Sequence, residues 1–451
     1  MPADALTAPA PGAEAGEDRQ RAGWREQARS GVHWGLAHGL PRLAFRAAAR
    51  RGDLQGRLML SDPATDQVWE LLEEARASGP LQRARLAYLT VDHAVVREVL
   101  SSPDFRTFRP VRAGALERLI NRTSPHVLHP IEPPSLLVTE PPDHTRYRKL
   151  VTRVFTARAV ERLRERAEEI ARELLDALDP SEPADLVASY CALLPVTVIA
   201  EILGVPPGQR KLVLELGSRA APSLDFGLSW RQYRDVSAGL LGFSQWLDAH
   251  VEQLRRHPGP DLLSQLIEAR DEQGTLDDLE LKATAGLVLA AGFETTVNLL
   301  GNAIVLLGRH PGQLERLRGD SALWPNCVDE ALRLDPPVLL TGRMCARTTS
   351  VAGVEVPEGM NVMTVLAGAN RDPQVFEHPG RFDVARENAR DHVSFSGGRH
   401  YCLGASLARM EGEVGLRALF ERFPDIRLLP GARRRPTRVL RGYESLPARL
   451  R

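Results

Sequence analysis

The stretch Phe395-Ser396-Gly397-Gly398-Arg399-His400-Tyr401-Cys402-Leu403-Gly404 decides the reading of this chain. Cys402 stands between glycines and the start of an apolar helical pattern that runs on from Ala405. A cysteine just before a helix meets unpaired backbone N–H groups and the positive end of the helix dipole, which favour thiolate over thiol. Such a thiolate suits a soft or redox-active metal. A lone cysteine is more often a small core residue; here the surroundings argue otherwise. Gly397 and Gly398 open turns closed to other residues, and Gly404 lets the chain approach a flat object. His400 adds a donor two residues before the sulfur.

The stretch resembles the haem-binding loop of cytochromes P450, Phe-Gly-x-Gly-x-His-x-Cys-x-Gly, and matches it at Phe395, Gly398, His400, Cys402 and Gly404. Ser396 stands where that family usually has glycine. The resemblance implies haem b, with Cys402 as the axial thiolate that favours O–O cleavage. It also implies that Phe395 packs beside the sulfur and that His400 reaches a haem propionate.

Length and charge set the outer limits. The chain has 451 residues, enough for a large core, and 58 basic against 58 acidic side chains leave no net charge. No bulk attraction to nucleic acid or to an anionic membrane follows, so any docking face must be local. Cys191, Cys327, Cys345 and Cys402 show no CxxC spacing, and a chain of this size needs no disulfides, which points to a reducing cytoplasm. Residues 1–25, opening with Ala, Pro, Gly and acids, are expected to form a disordered tail ahead of a single domain over 26–451. The most apolar run, Leu281 to Leu307, is interrupted by Glu294, Asn298 and Asn302 and does not read as a lipid-facing span.

Along the chain, periodicity predicts a short amphipathic helix from about Gly31 and a helix from Asp62 to Ala77 with Asp62 as cap and Pro63 in its first turn. A strand at Ala87–Val91 and a helix over Asp92–Leu100 follow. Phe105 to Thr139 has no sustained period, and a connection that long is often functional. Further helices are expected from Glu140 to Phe155, Ala157 to Leu178, Asp185 to Leu203, and on both sides of a break at Ala221–Gly227. His144 and Arg148 share one face of the first of these at i,i+4. By itself that is a solvated basic face; by the resemblance the pair would hold a propionate, and the break would be a lid over the substrate.

From Thr275 to Leu307, with Gly308 as the expected stop, the pattern is apolar on several sides, as for a helix crossing the centre. Within it stands Ala291-Gly292-Phe293-Glu294-Thr295-Thr296. Thr295 can bond back to the carbonyl of Ala291, and Gly292 weakens the same turn, so the ladder can open to water. An ordinary central helix would read similarly. The segment resembles the P450 Ala/Gly-Gly-x-Asp/Glu-Thr-Thr/Ser pattern, which implies that Thr295 steadies the bound dioxygen, that Glu294 relays protons, and that Ala291 borders the haem. Leu287 and Ala291 are expected on the substrate side.

Glu330-Ala331-Leu332-Arg333 places opposite charges one turn apart, a pattern of little weight alone because most such pairs are exposed. His378-Pro379-Gly380-Arg381-Phe382 resembles the family's Pro-x-Arg-Phe segment, and the resemblance implies a Glu330–Arg333–Arg381 network bracing the cysteine loop. Short alternating runs from Val338 to Val365 predict a small sheet. Arg343 matches the family's propionate-holding arginine, Val338 and Leu340 are expected to point toward substrate, and Tyr443 to reach it from the tip of a final hairpin at Arg438–Leu446.

These readings converge on a mainly α chain with the helical prism and small β region of the P450 fold. The implied activity is a haem-thiolate monooxygenase acting on an apolar or amphipathic small molecule. Ferredoxin and ferredoxin reductase are the implied electron donors, with Arg148, Arg153 and Arg399 as docking candidates unless they pair internally; no nucleic acid or membrane partner is expected. The general texture resembles P450s of high-GC Gram-positive bacteria, which suggests a polyketide or macrolide substrate. A peroxide-driven peroxygenase is the first rival, though it needs no proton relay; a haem-thiolate sensor without turnover is the second.

Overall fold

The computed structural model describes residues 26–451 except 64, 109–113, 126, 153–154 and 272–273. The expected tail at 1–25 and Arg153 lie outside the described residues.

A central helix, Asp278–Arg309, organises the molecule. Asp277 caps it by accepting from the Glu280 N–H, and the Glu280 side chain returns to the Asp277 N–H, a reciprocal box that fixes the start two residues after Thr275. The helix continues through Gly308, beside which Leu428 lies 3.1 Å from where a Cβ would stand, and stops at His310. Its most apolar window is 78% buried in protein, so it is a core helix.

The helices Leu193–Ile202, Trp324–Leu334 and Ala405–Arg422 pack around it. Two glycines set the closeness of that packing. A Cβ on Gly412 would lie 3.0 Å from Val328 and 3.2 Å from Leu299, and one on Gly415 would lie 2.8 Å from Leu194 and 3.0 Å from Leu300. The resulting apolar cluster extends from Phe155 through Phe293 and Leu300 to Leu416 and Leu446.

To one side lies a five-stranded sheet in the order Gln82–Arg83, Tyr88–Thr90, Asn361–Thr364, Thr341–Cys345, Phe105–Thr107. Asn361–Thr364 runs parallel to Tyr88–Thr90 and antiparallel to Thr341–Cys345, with Val362 opposite both Tyr88 and Arg343. Its side chains pack on Leu58, Met59 and Val68.

The expected helix at Asp62 starts later, at Gln67, because residues 62–65 close a turn through Thr65 N–H to the Asp62 carbonyl. The N-terminal helix is already formed at residue 26, the first described, ahead of the expected start near Gly31, and contains a π segment at Gly35–Gly39 before Leu40–Ala49. The break expected at 221–227 is a 3-10 turn, Ala221–Leu224, and a loop between the helices Arg210–Ala220 and Trp230–Arg256.

Candidate active site

The cysteine loop is shaped by two left-handed residues, Ser396 at φ 61° and Gly398 at φ 63°. At Gly398 a Cβ would sit 2.4 Å from the Leu100 carbonyl oxygen, so glycine is required there. The loop closes when the Cys402 N–H donates to the Phe395 carbonyl at 2.9 Å. The Arg409 guanidinium lies 4.6 Å from the centre of the Phe395 ring. Burial pushes the Cys402 thiol up, while the Gly404 N–H and the charges of Arg148 and Arg409 pull it down. The helix start therefore does not by itself outweigh burial at the sulfur.

Around this loop stand His144, Arg343 and His400. The two imidazoles are 4.4 Å apart, and the Nε2 atoms of both are buried without a hydrogen-bond partner. Glu140 lies 3.8 Å from His400, beyond hydrogen-bond reach, and is held instead by Arg399 at 3.0 Å and the Thr107 N–H at 2.6 Å. Arg343 is buried, donates to the Gly342 carbonyl and to Ser396 Oγ at 3.3 Å, and forms no ion pair among the described residues. Burial lowers it to about 10. Arg148 donates to the Tyr401 carbonyl at 2.8 Å, so it braces the loop. Arg399 thus pairs internally, with Glu140, which removes it as a docking candidate, whereas Arg148 is held by a backbone carbonyl.

The central helix opens toward the site along one strip. Leu287, Ala291 and Thr295, at i,i+4 spacing, are part-exposed or exposed, with Ala290 and Gly292 part-exposed beside them, in a helix whose other residues from 283 to 307 are buried. Thr295 Oγ1 donates to the Ala291 carbonyl at 3.0 Å. Glu294 points the other way, buried, between Ser218 Oγ at 3.4 Å and Arg435 at 3.0 Å. Burial raises its carboxyl and Arg435 opposes that.

Glu330 and Arg333 are fully buried and paired, Arg333 Nε to Glu330 at 2.6 Å. The third member is Arg386, 3.1 Å from Glu330, and not Arg381. Arg381 is exposed, and only its backbone carbonyl enters, accepting from Arg333 and Arg386. A second buried knot was not anticipated: Asp329 accepts from His392, Arg390 and Arg409, tying the Glu330 helix to the helix after Cys402.

Two expected pocket residues are placed elsewhere. Strand alternation puts Thr341 on the same face as Arg343, whose guanidinium reaches Thr341 Oγ1 and Ser396 Oγ, while Leu340, just ahead of the strand, lies with Leu339, Leu58 and Met59 in one cluster. Tyr443 is in a strand, paired with Arg434 and covered by its guanidinium at 4.0 Å, and it faces Gly301 rather than standing at the hairpin tip. The tip is formed by residues 435–442, and there the Arg438 and Val439 N–H groups both donate to Asp225, just after the 3-10 turn Ala221–Leu224, at 2.9 Å. Val338 packs beside Val96, Leu100 and Leu366 and bridges to Leu440.

Residues 242–437 match the cytochrome P450 family model. A cytochrome P450 140 of Mycobacterium tuberculosis is 53% identical over 428 residues, 93% of this chain and 97% of that protein. The chain is a cytochrome P450. The 6-deoxyerythronolide B hydroxylase of Saccharopolyspora erythraea is 42% identical over 69% of this P450 and 77% of that enzyme. Among solved structures, the tirandamycin C-bound P450 monooxygenase TamI aligns with a TM-score of 0.74 at 34% identity, over 85% of this chain and 97% of its own.

P450s bind haem b, and the residues present fit it. Two buried imidazole nitrogens without partners and a buried guanidinium without a carboxylate form a cluster that a dianionic group completes. The open strip on the central helix gives a flat group a face, and no atom lies within 4 Å of where a Cβ on Gly404 would stand.

Proposed function

We propose that this P450 monooxygenase hydroxylates or epoxidises an apolar or amphipathic natural product of the polyketide or macrolide kind, drawing electrons from a ferredoxin and its reductase in the cytoplasm. One oxygen atom enters a C–H or C=C bond of the substrate, and the other leaves as water with two protons and two electrons. Haem, when bound, supplies the oxygen activation and transfer.

The protein's own part is division of labour around that group. Cys402 would ligate the iron, and His144, Arg148, His400 and Arg343 would hold the propionates; Arg148 also steadies the loop by its bond to the Tyr401 carbonyl. Thr295 presents its hydroxyl on the open strip, and Glu294 stands behind it as the proton relay, buried and paired with Arg435. The observation that carries this reading is the adjacency of an open-face Thr295 and a buried, ion-paired Glu294 on one helix, an arrangement that a peroxide-driven enzyme has no need of. The names of the similar macrolide hydroxylase and of the tirandamycin-bound enzyme support the substrate class.

Reconstitution with NADPH, ferredoxin and reductase tests it, with a panel of macrolides and linear polyketides. Product should form with the redox chain and Thr295→Ala should divert most electrons to peroxide. Product with peroxide alone, unaffected by Glu294→Gln, would reverse the assignment. Cys402→Ser must abolish the sulfur-ligated absorbance band of the reduced carbon monoxide complex.

A further inference from the structure

The global charge balance conceals a local excess. Between residues 27 and 52 the chain carries Arg29, Arg42, Arg46, Arg50 and Arg51 and no aspartate or glutamate. This stretch is the N-terminal helix, and it is two-sided. His33, Phe45 and Ala48 are buried, whereas Val32, Leu40 and Leu43 are 48%, 51% and 60% exposed, in company with exposed Arg46, Arg50 and Arg51.

The neighbouring helix, Ala115–Thr123, repeats the pattern. It buries no residue, leaves Leu116 and Leu119 exposed at 43% and 44%, and carries Arg118 and Arg122 outward against one part-exposed acid, Glu117. The two helices are joined through His33 Nδ1 to the Ile120 carbonyl at 3.3 Å and Arg29 to the Ser124 carbonyl at 2.9 Å. Scattered surface leucines need no explanation; leucines in i,i+3 pairs on two joined helices with an arginine surplus do.

We propose that this face lays the enzyme on an anionic lipid surface, with the leucines at the acyl boundary and the arginines among the headgroups. The exposed face carries both kinds of residue, Leu40, Leu43, Arg46 and Arg50 following one another at i,i+3 or i,i+4, so the leucines can enter the acyl boundary while the longer arginines reach up to the headgroups. An acidic protein partner would satisfy the arginines and leave Leu40 and Leu43 in water. The lid sits beside this face, since Trp34 Nε1 donates to the Leu228 carbonyl at 2.9 Å and Gly227 lies against Arg42. A substrate dissolved in lipid would thus meet the lid first.

Co-sedimentation of the full-length holoenzyme tests this with vesicles of phosphatidylcholine alone and of phosphatidylcholine with phosphatidylglycerol in equal parts. The expected result is binding to the anionic vesicles that salt weakens, with little binding to the neutral ones. Leu40→Ser with Leu43→Ser should release the protein, and each of Arg46→Gln, Arg50→Gln and Arg51→Gln should weaken partition about fivefold, with haem content unchanged. Absence of binding to anionic vesicles, or variants that bind as the parent does, would overturn the proposal. So would binding that appears only after removal of residues 1–25, which would make that segment the occupant, or a dimer that the serine variant dissolves without any vesicle binding.

Discussion

The carboxylate of Glu294, in the middle of the central helix, lies 3.0 Å from the guanidinium of Arg435, at the start of the C-terminal hairpin turn. Burial raises the Glu294 carboxyl and Arg435 restrains the rise. With Arg435→Gln the restraint is gone, so the carboxyl stays protonated to a higher pH. The ionisation seen in product formation against pH should move to the alkaline side, and Arg435→Lys should largely restore it. Superimposable profiles for parent and glutamine variant would show that the pair has no part in proton supply.

The Glu330 network gives a sharper comparison. Removing one partner of a buried pair strands a charge at a cost of ~3–5 kcal/mol. Arg333→Ala and Arg386→Ala should therefore both yield little haem-loaded protein. Arg381→Ala should load normally, because Arg381 contributes a backbone carbonyl that the substitution keeps. Haem-to-protein absorbance ratios after identical expression decide the matter.

Acid should loosen the propionate-side cluster before haem enters. Burial, with the charges of His400 and Arg148, lowers His144 from 6.5 to about 4, so its neutral form is favoured by folding; that contribution is whole above pH 6.5 and lost as pH falls toward 4. Burial alone would raise Glu140, but the approach of His400 and the Thr107 N–H bring it to about 2, and its contribution is lost as pH falls from 4.5 toward 2. Both signs agree. Tm of the haem-free protein should decline between pH 6.5 and 4, and His144→Phe should flatten that part of the curve. An unchanged slope in the variant would contradict the role given to His144.

Ser396 occupies a left-handed conformation, which explains why glycine is usual in this position of the haem-binding loop. Its hydroxyl accepts from Arg343, which offsets part of the strain. Ser396→Gly should relieve ~1–2 kcal/mol of backbone strain and lose a bond worth ~1 kcal/mol, leaving Tm and haem content within a few degrees and a few per cent of the parent. A large fall in either would mean that the hydroxyl orients Arg343.

Local signals were the readable ones. The cysteine loop, the Glu294-Thr295 segment and the long apolar helix are contiguous in sequence, so spacing and capping residues exposed them at once. Arg386, Arg435 and Asp225 act across long separations and carry no local mark, since an arginine that fills a buried pair is written like one in solvent. The Arg381 expectation failed for that reason, and Leu340 failed because it stands just ahead of the strand that begins at Thr341, where it and Leu339 enter the same cluster. Tyr443 was misplaced because the hairpin begins at Arg433, earlier than its apolar pattern suggested.

Asp225 takes the N–H groups of Arg438 and Val439, and Arg435 begins the same turn. If the loop bearing Asp225 swings outward, it must either abandon two buried backbone donors or drag the turn along and tug at Glu294. Should that loop be the substrate's doorway, doorway and carboxylate are yoked, and a protein caught with its entrance ajar is also one whose Glu294 has been disturbed.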